Sequence, residues 1–329
     1  MDRDVSTARC LARAALAGNP SDLFGGAVVA VPVESVGATV GVTASDTFQI
    51  PGLDRFPSSL DELDHIVETS GCGTAQPLVV ATLVTLWRRF QADLSPVMVD
   101  VETGIPRSVG LAGSSAIVVA TIRALISHQP HRTWARRLAA DPWLLASTAL
   151  GAETSVLGIT AGMQDRLVQA IGENLFMDFS RHPTDHSLPT DQRFRVLGPL
   201  PGVAFVALLP ATASHSGAVH ARTDTSTASF TAAMGDLART AHDAAWAIDA
   251  HDADGLGAAM NATFDLRASC MALEPAHVAM VVAARRRGAA ATYTGSGGAV
   301  TVLCSDDDAA SDTAAALRRD LGCQVLPLP

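Results

Sequence analysis

The chain reads as an α+β protein in two domains, and three observations predict it. Its 329 residues are long for one hydrophobic core and typical of two fused domains that share a cleft. Valine-rich segments of strand character at 28–42, 203–209 and 300–304 recur among longer segments of helical character. A polar stretch from Ser180 to Arg193, broken by Pro183 and Pro189, separates the halves. We expect domains at 1–185 and 186–329.

Val28 to Val42, framed by Gly26 and Gly41, reads as strand. Gln76 to Phe90 carries apolar residues at helical intervals, and Ile117 to Ile126 reads as a mostly buried helix. Pro142 to Thr148 and Asp165 to Ile171 read as two more helices, with a turn at Gly158 to Gly162 between them. In the second half, Val203 to Leu209 reads as strand and Thr231 to Ala250 as a long alanine-rich helix. Asp254 to Asn261 leads into another helix, Ala276 to Arg287 into a third, and Val300 to Cys304 closes as a strand. That order predicts helices on one face of a small sheet. The Ser/Thr-rich stretch from Ala211 to Ser229 suits a substrate-side loop or a disordered one, and no repeat of solenoid type is present.

Composition excludes several function classes. Apolar residues make up 48% of the chain, yet no uninterrupted run approaches the roughly 20 residues that span a bilayer. Arg13 interrupts the Cys10 to Gly18 segment, which makes it a poor secretory signal. No membrane partner and a cytoplasmic location are expected. The five cysteines, Cys10, Cys72, Cys270, Cys304 and Cys323, never form C-x-x-C, so reduced, mostly buried thiols are expected. A net charge of −10 disfavours a nucleic-acid partner, whereas a small nucleotide held by local amides stays compatible. Arg285, Arg286 and Arg287 read as a solvated helix end. His182 and His186 have Pro183 between them, which breaks a zinc-binding helix face, and Asp306, Asp307 and Asp308 read as a solvated acidic turn.

The segment from Gly104 to Ala116, GIPRSVGLAGSSA, carries chemistry: a glycine- and serine-rich loop that opens a helix. Amides at a helix start lack intrahelical partners and carry partial positive charge, so an anion can settle there without any lysine. The same pattern also suits a tight turn with Ser114 or Ser115 as N-cap. Neither a Walker A triplet nor a G-x-G-x-x-G spacing is present.

Ile105 to Ala116 resembles the second signature of the GHMP kinases, the superfamily of galactokinase, homoserine kinase, mevalonate kinase and phosphomevalonate kinase. Gly18 to Asp22, Leu157 to Arg166, Phe176 to Ser180 and Thr294 to Val300 resemble, in that order, blocks of the glucuronokinases. The likeness spans about Arg13 to Cys304. It implies an N-terminal domain like ribosomal protein S5 domain 2 and a ferredoxin-like C-terminal domain. It also implies ATP with Mg2+ as cofactors and a sugar as the partner substrate, most closely D-glucuronate phosphorylated at its anomeric hydroxyl.

Phosphoryl transfer needs phosphates held in line with the acceptor, a cation to spread charge, and a group to take the hydroxyl proton. The resemblance assigns Pro106, Gly110, Leu111, Ala112, Gly113, Ser114, Ser115 and Ala116 to the phosphates, with Ser114 or Ser115 as a Mg2+ ligand. A metal-coordinating glutamate of the superfamily is matched by Glu153 one residue out of register. Asp165, by itself a helix N-terminal carboxylate, matches the acidic residue that polarises or deprotonates the sugar hydroxyl, with Arg13 as the cation that keeps it ionised. Asn19, Ser21 and Asp22 would face the sugar, and Gly295, Ser296, Gly297 and Gly298 would back the phosphate loop and the substrate. Ser216 and His220 lie in a segment similar to one near the sugar. A substrate carboxylate calls for a guanidinium, for which Arg107, Arg166, Arg222 and Arg267 are the candidates. The alternatives are a kinase for another sugar or polyol, and a non-catalytic sugar- or nucleotide-binding regulator on the same fold.

Overall fold

The computed structural model describes residues 5–72, 76–180, 194–209, 225 and 227–328. The expected boundary at 185/186, and with it His182 and His186, lies outside the described residues, as do Ser216, His220 and Arg222.

Two compact units form, interleaved along the chain. The first gathers the chain up to Leu11 with Val36–Ile105 and Gly113–Ile171; the second gathers Ala12–Ser35, Pro106–Ala112 and the chain from Gly172 onward. The interleaving arises because strands β1 (Ser6–Ala17) and β2 (Ala27–Ala44) are long enough to run through both.

In the first unit β2 pairs antiparallel with β3 (Val97–Thr103), from Ala38 opposite Thr103 to Ala44 opposite Val97. Val40, Val42, Val97 and Val99 are buried while Met98, Asp100 and Glu102 face outward, the period-2 pattern of a sheet packed on one face. Six helices follow: α1 (Leu60–Ser70), α2 (Pro77–Phe90), α3 (Gly113–His128), α4 (Thr133–Ala140), α5 (Pro142–Gly151) and α6 (Met163–Ile171). α3 packs on α2, α5, α6 and β3, so a mostly apolar helix is buried nearly all round. α1 starts at a reciprocal cap: the Ser59 hydroxyl accepts from the Glu62 amide while the Glu62 carboxylate accepts from the Ser58 amide at 2.8 Å. α5 starts with Asp141 accepting from the Leu144 amide at 3.0 Å and Pro142 in the first turn.

In the second unit the early half of β2 pairs with β4 (Leu175–Asp178), which pairs with β5 (Phe194–Val196). A separate antiparallel sheet runs β7-β8-β6-β9, built from β6 (Val203–Leu208), β7 (Ala290–Tyr293), β8 (Ala299–Cys304) and β9 (Gln324–Pro327). With helices α7 (Ala228–Asp249), α8 (Ala253–Cys270) and α9 (Pro275–Arg285) between β6 and β7, and α10 (Asp307–Leu321) between β8 and β9, this is the ferredoxin-like β-α-β-β-α-β order expected. Phe205, Phe264, Met280, Tyr293, Val302 and Leu317 form its core. Phe264 meets Tyr293 edge to face at 5.4 Å, worth about 1 kcal/mol beyond burial. The helix expected from Asp254 begins at Ala253, capped by Asp252 accepting from the Gly255 amide at 2.9 Å. All five cysteines are free, Cys10, Cys304 and Cys323 being buried.

Candidate active site

β3 ends at Thr103 and α3 begins at Gly113, so the glycine-serine segment is a loop feeding a helix, as expected. Within it Ser108 and Ala112 hold left-handed backbone at φ of 57° and 58°, conformations that non-glycine residues keep only where surrounding structure imposes them. Gly110, at φ of 74°, packs on the second glycine loop: a Cβ there would lie 3.0 Å from the Gly297 carbonyl. From the other side a Cβ on Gly295 would lie 2.5 Å from the Gly110 carbonyl. Two backbones in contact leave no room for a side chain on either, so the Gly295 to Gly298 loop packs directly on the glycine-serine loop.

Arg13 ties these loops together. It is buried, its amide donates to the Leu111 carbonyl at 3.2 Å, and its Nη1 donates to the Thr294 carbonyl and, at 3.5 Å, to the Gly110 carbonyl. His277, which carried no signal in the sequence, is buried under the same loop and accepts from the Gly298 amide at 3.1 Å through Nδ1.

Within the first unit a set of charged and polar side chains is joined by hydrogen bonds. The Ser114 hydroxyl donates to Glu153 Oε1 at 2.7 Å; Glu153 Oε2 accepts from Arg166 Nε at 2.8 Å and from Arg166 Nη2. Arg166 Nη1 donates to the Gly162 carbonyl at 2.9 Å and to Asp165 Oδ2 at 3.3 Å. A continuous run of hydrogen bonds therefore leads from the mouth of α3 to Asp165. Glu153 is fully buried on a π-helical turn, Ala152–Val156, that continues α5; such widened turns often mark functional sites. Of the two serines Ser114 is exposed and Ser115 buried. Asp165 keeps 23% of its side chain exposed, against 4% for Arg166.

Two residues have other duties than those expected of them. Arg166, a candidate for a substrate carboxylate, spends its donors on Glu153, Gly162 and Asp165, because a buried carboxylate 13 positions earlier in the chain requires a counter-charge. Ser21, expected to face the sugar, is fully buried and donates to the Ala27 carbonyl at 2.8 Å, closing the loop that holds Asn19 and Asp22.

The residues present fit a Mg2+ ion. Octahedral coordination at about 2.1 Å puts adjacent ligand oxygens about 3 Å apart, close to the 2.7 Å between Ser114 Oγ and Glu153 Oε1. Among the described residues no group of three or more His, Cys, Asp or Glu side chains could cage a metal.

The second unit holds Asn19 by an arginine: Arg267 Nη1 donates to Asn19 Oδ1 at 2.8 Å, and the guanidinium lies 5.1 Å from the Tyr293 ring centre. Burial lowers Arg267 to about 10 and pushes the Tyr293 phenol above its ordinary value. Arg107, on the glycine-serine loop, is exposed. On the outer face of the first unit's sheet an open groove of about 710 Å³ is lined by Thr39, Thr43, Ile50, Phe56, Met98 and Glu102, among others. Among the described residues no helix is long and apolar enough to cross a membrane.

Comparison with known proteins agrees with the signature blocks. The model of the GHMP kinases N terminal domain matches residues 77–173, and that of the GHMP kinases C terminal matches 244–322. A protein named probable glucuronokinase 2 of Arabidopsis thaliana is 32% identical over 287 residues, 82% of this chain and 75% of its own length. Among solved structures, Streptococcus pneumoniae phosphomevalonate kinase in complex with phosphomevalonate and AMPPNP superposes with a TM-score of 0.75 at 15% identity, covering 98% of this chain and 99% of that one. Lactococcus lactis galactokinase complexed with galactose superposes with a TM-score of 0.74 at 14% identity, covering 98% and 93%.

Proposed function

The chain belongs to the GHMP kinase family, and from that premise we propose that this phosphotransferase moves the γ-phosphoryl group of ATP onto the anomeric hydroxyl of D-glucuronate, giving the 1-phosphate. The observation that carries the reading is the hydrogen-bonded run Ser114–Glu153–Arg166–Asp165, which links a phosphate-binding helix mouth to a partly exposed carboxylate. The relative of matching name supplies the sugar.

Amides of the Pro106 to Ala116 segment receive the β- and γ-phosphates. Asp165 accepts the proton of the anomeric hydroxyl as that oxygen bonds to the γ-phosphorus and the bond from phosphorus to the bridging oxygen breaks, releasing ADP. Arg166 keeps Asp165 oriented and the buried Glu153 neutralised. Ser114 and Glu153 would hold Mg2+, which spreads the phosphate charge when bound. Arg13 fixes the two glycine loops against each other and adds positive charge behind the phosphates. Asn19 and Asp22 orient the sugar. The groove beside β3 takes the nucleoside, since the same strand continues directly into the phosphate loop. The family matches fall on either side of 185/186, which supports the division into domains 1–185 and 186–329. A cytoplasmic setting belongs to the same proposal.

The test is ADP release by the full chain with a panel of uronic acids and neutral sugars. D-glucuronate should be the best acceptor, and Asp165→Asn should lose about 100-fold or more in kcat with the fold retained. Neutral sugars outperforming every uronate would defeat the assignment.

A further inference from the structure

Arg267 is a buried charge that forms no ion pair among the described residues. Its residue exposure is 1%. Among the described residues no carboxylate forms an ion pair with it; it donates to a neutral amide, Asn19, and stacks on Tyr293, and Asp22 adds an electrostatic attraction. Its Nε and the Tyr293 hydroxyl are both buried without a hydrogen-bond partner. An isolated buried guanidinium is costly, and a carboxylate in place of the Asn19 amide would relieve that cost through a single substitution. The cluster also sits where a ligand is expected. Asn19 belongs to the Gly18 to Asp22 loop, and Tyr293 leads into the Thr294 to Gly298 loop that packs on Gly110.

We propose that Arg267 is the positioning residue that sets the preference for a carboxylate-bearing sugar. Its charge, which has no ion-pair partner among the described residues, is balanced when the substrate anion binds. The guanidinium does not touch the sugar. It acts across a low-dielectric layer and by fixing the oxygen, and so the orientation, of the Asn19 amide. Arg267 therefore plays the opposite part to Arg166, whose charge is consumed inside the fold. This inference rests on the uronate reading of the site.

The experiment compares kcat/KM for D-glucuronate and for D-glucose, which carries a neutral hydroxymethyl group in place of the carboxylate, in the unsubstituted enzyme and three variants. Thermal unfolding is followed in parallel. Arg267→Met should lower the glucuronate-to-glucose ratio by about tenfold or more, mainly through the KM of glucuronate, and Arg267→Lys should restore most of it. Asn19→Asp, which gives the guanidinium an internal partner, should lower the same ratio while holding or raising the melting temperature; it remains decisive if Arg267→Met does not fold. A folded Arg267→Met or Asn19→Asp enzyme with the unaltered ratio would overturn the inference. Failure of the uronate reading itself is distinguishable, because the unsubstituted enzyme would then prefer glucose.

Discussion

Arg166 and Arg267 are buried to nearly the same degree, yet the chain treats them in opposite ways. Arg166 meets Glu153 through two nitrogens and reaches Asp165 with a third; Arg267 meets one neutral oxygen and an aromatic face. A charge cancelled within the fold is architecture, because removing either partner strands the other in a medium that cannot solvate it. A charge left open costs stability in the empty protein and returns it when an anion arrives. In the proposed function the first arrangement steadies the carboxylate that takes the proton, and the second sets the preference for an anionic sugar.

The sharpest way to break this comparison is to delete each guanidinium and measure denaturant unfolding. Arg166→Met leaves Glu153 buried and alone and should cost about 3–5 kcal/mol. Arg267→Met removes one hydrogen bond and one cation–π contact and should cost about 2 kcal/mol or less. Equal losses would mean that Arg267 has an internal counter-charge after all. Next in size is Gly295→Ala, whose Cβ would lie 2.5 Å from the Gly110 carbonyl. It should push the phosphate loop aside and raise the KM for ATP by about tenfold, with steady-state kinetics as the check. An unchanged KM would separate the second glycine loop from phosphate binding.

Much of this was legible in the sequence, and what was not has physical reasons. Valine-rich β2 and β8 declare themselves through β-branched residues, and the glycine-serine loop declares α3. β1 does not, because Ala12, Ala14, Ala15, Leu16 and Ala17 are all buried, so no alternation survives and alanine favours helix by propensity. β4, four residues long, is too short to signal itself. In the site, Asp165 and Glu153 came from family resemblance, since Ser114 and Glu153 stand 39 positions apart and no local spacing joins them. Arg166 beside Asp165 looked like a substrate ligand until its tertiary partner was in view. His277 and Tyr293 lie in ordinary helix and strand patterns, and only their place under the second glycine loop marks them.

Two smaller effects sharpen the same contrast. Arg267, although lowered to about 10 by burial, is a base that stays protonated below that value. The glucuronate preference should therefore hold from about pH 6 to about pH 9 and fade only as pH rises through the lowered value. A preference that disappears near neutrality would assign it to a histidine instead. At the surface, Arg195 pairs with Asp249 with both side chains nearly half exposed; Arg195→Ala should change unfolding by no more than about 1 kcal/mol, a baseline for an ion pair that water already screens.

The most direct test follows the phosphorus. The purified chain is incubated with ATP, Mg2+ and D-glucuronate, and the products are followed by phosphorus NMR. A sugar 1-phosphate resonance should grow in step with ADP in the unsubstituted enzyme and be nearly absent in Asp165→Asn. ADP without a sugar phosphate, or equal product from Asp165→Asn, would contradict proton abstraction by Asp165 at a uronate's anomeric hydroxyl.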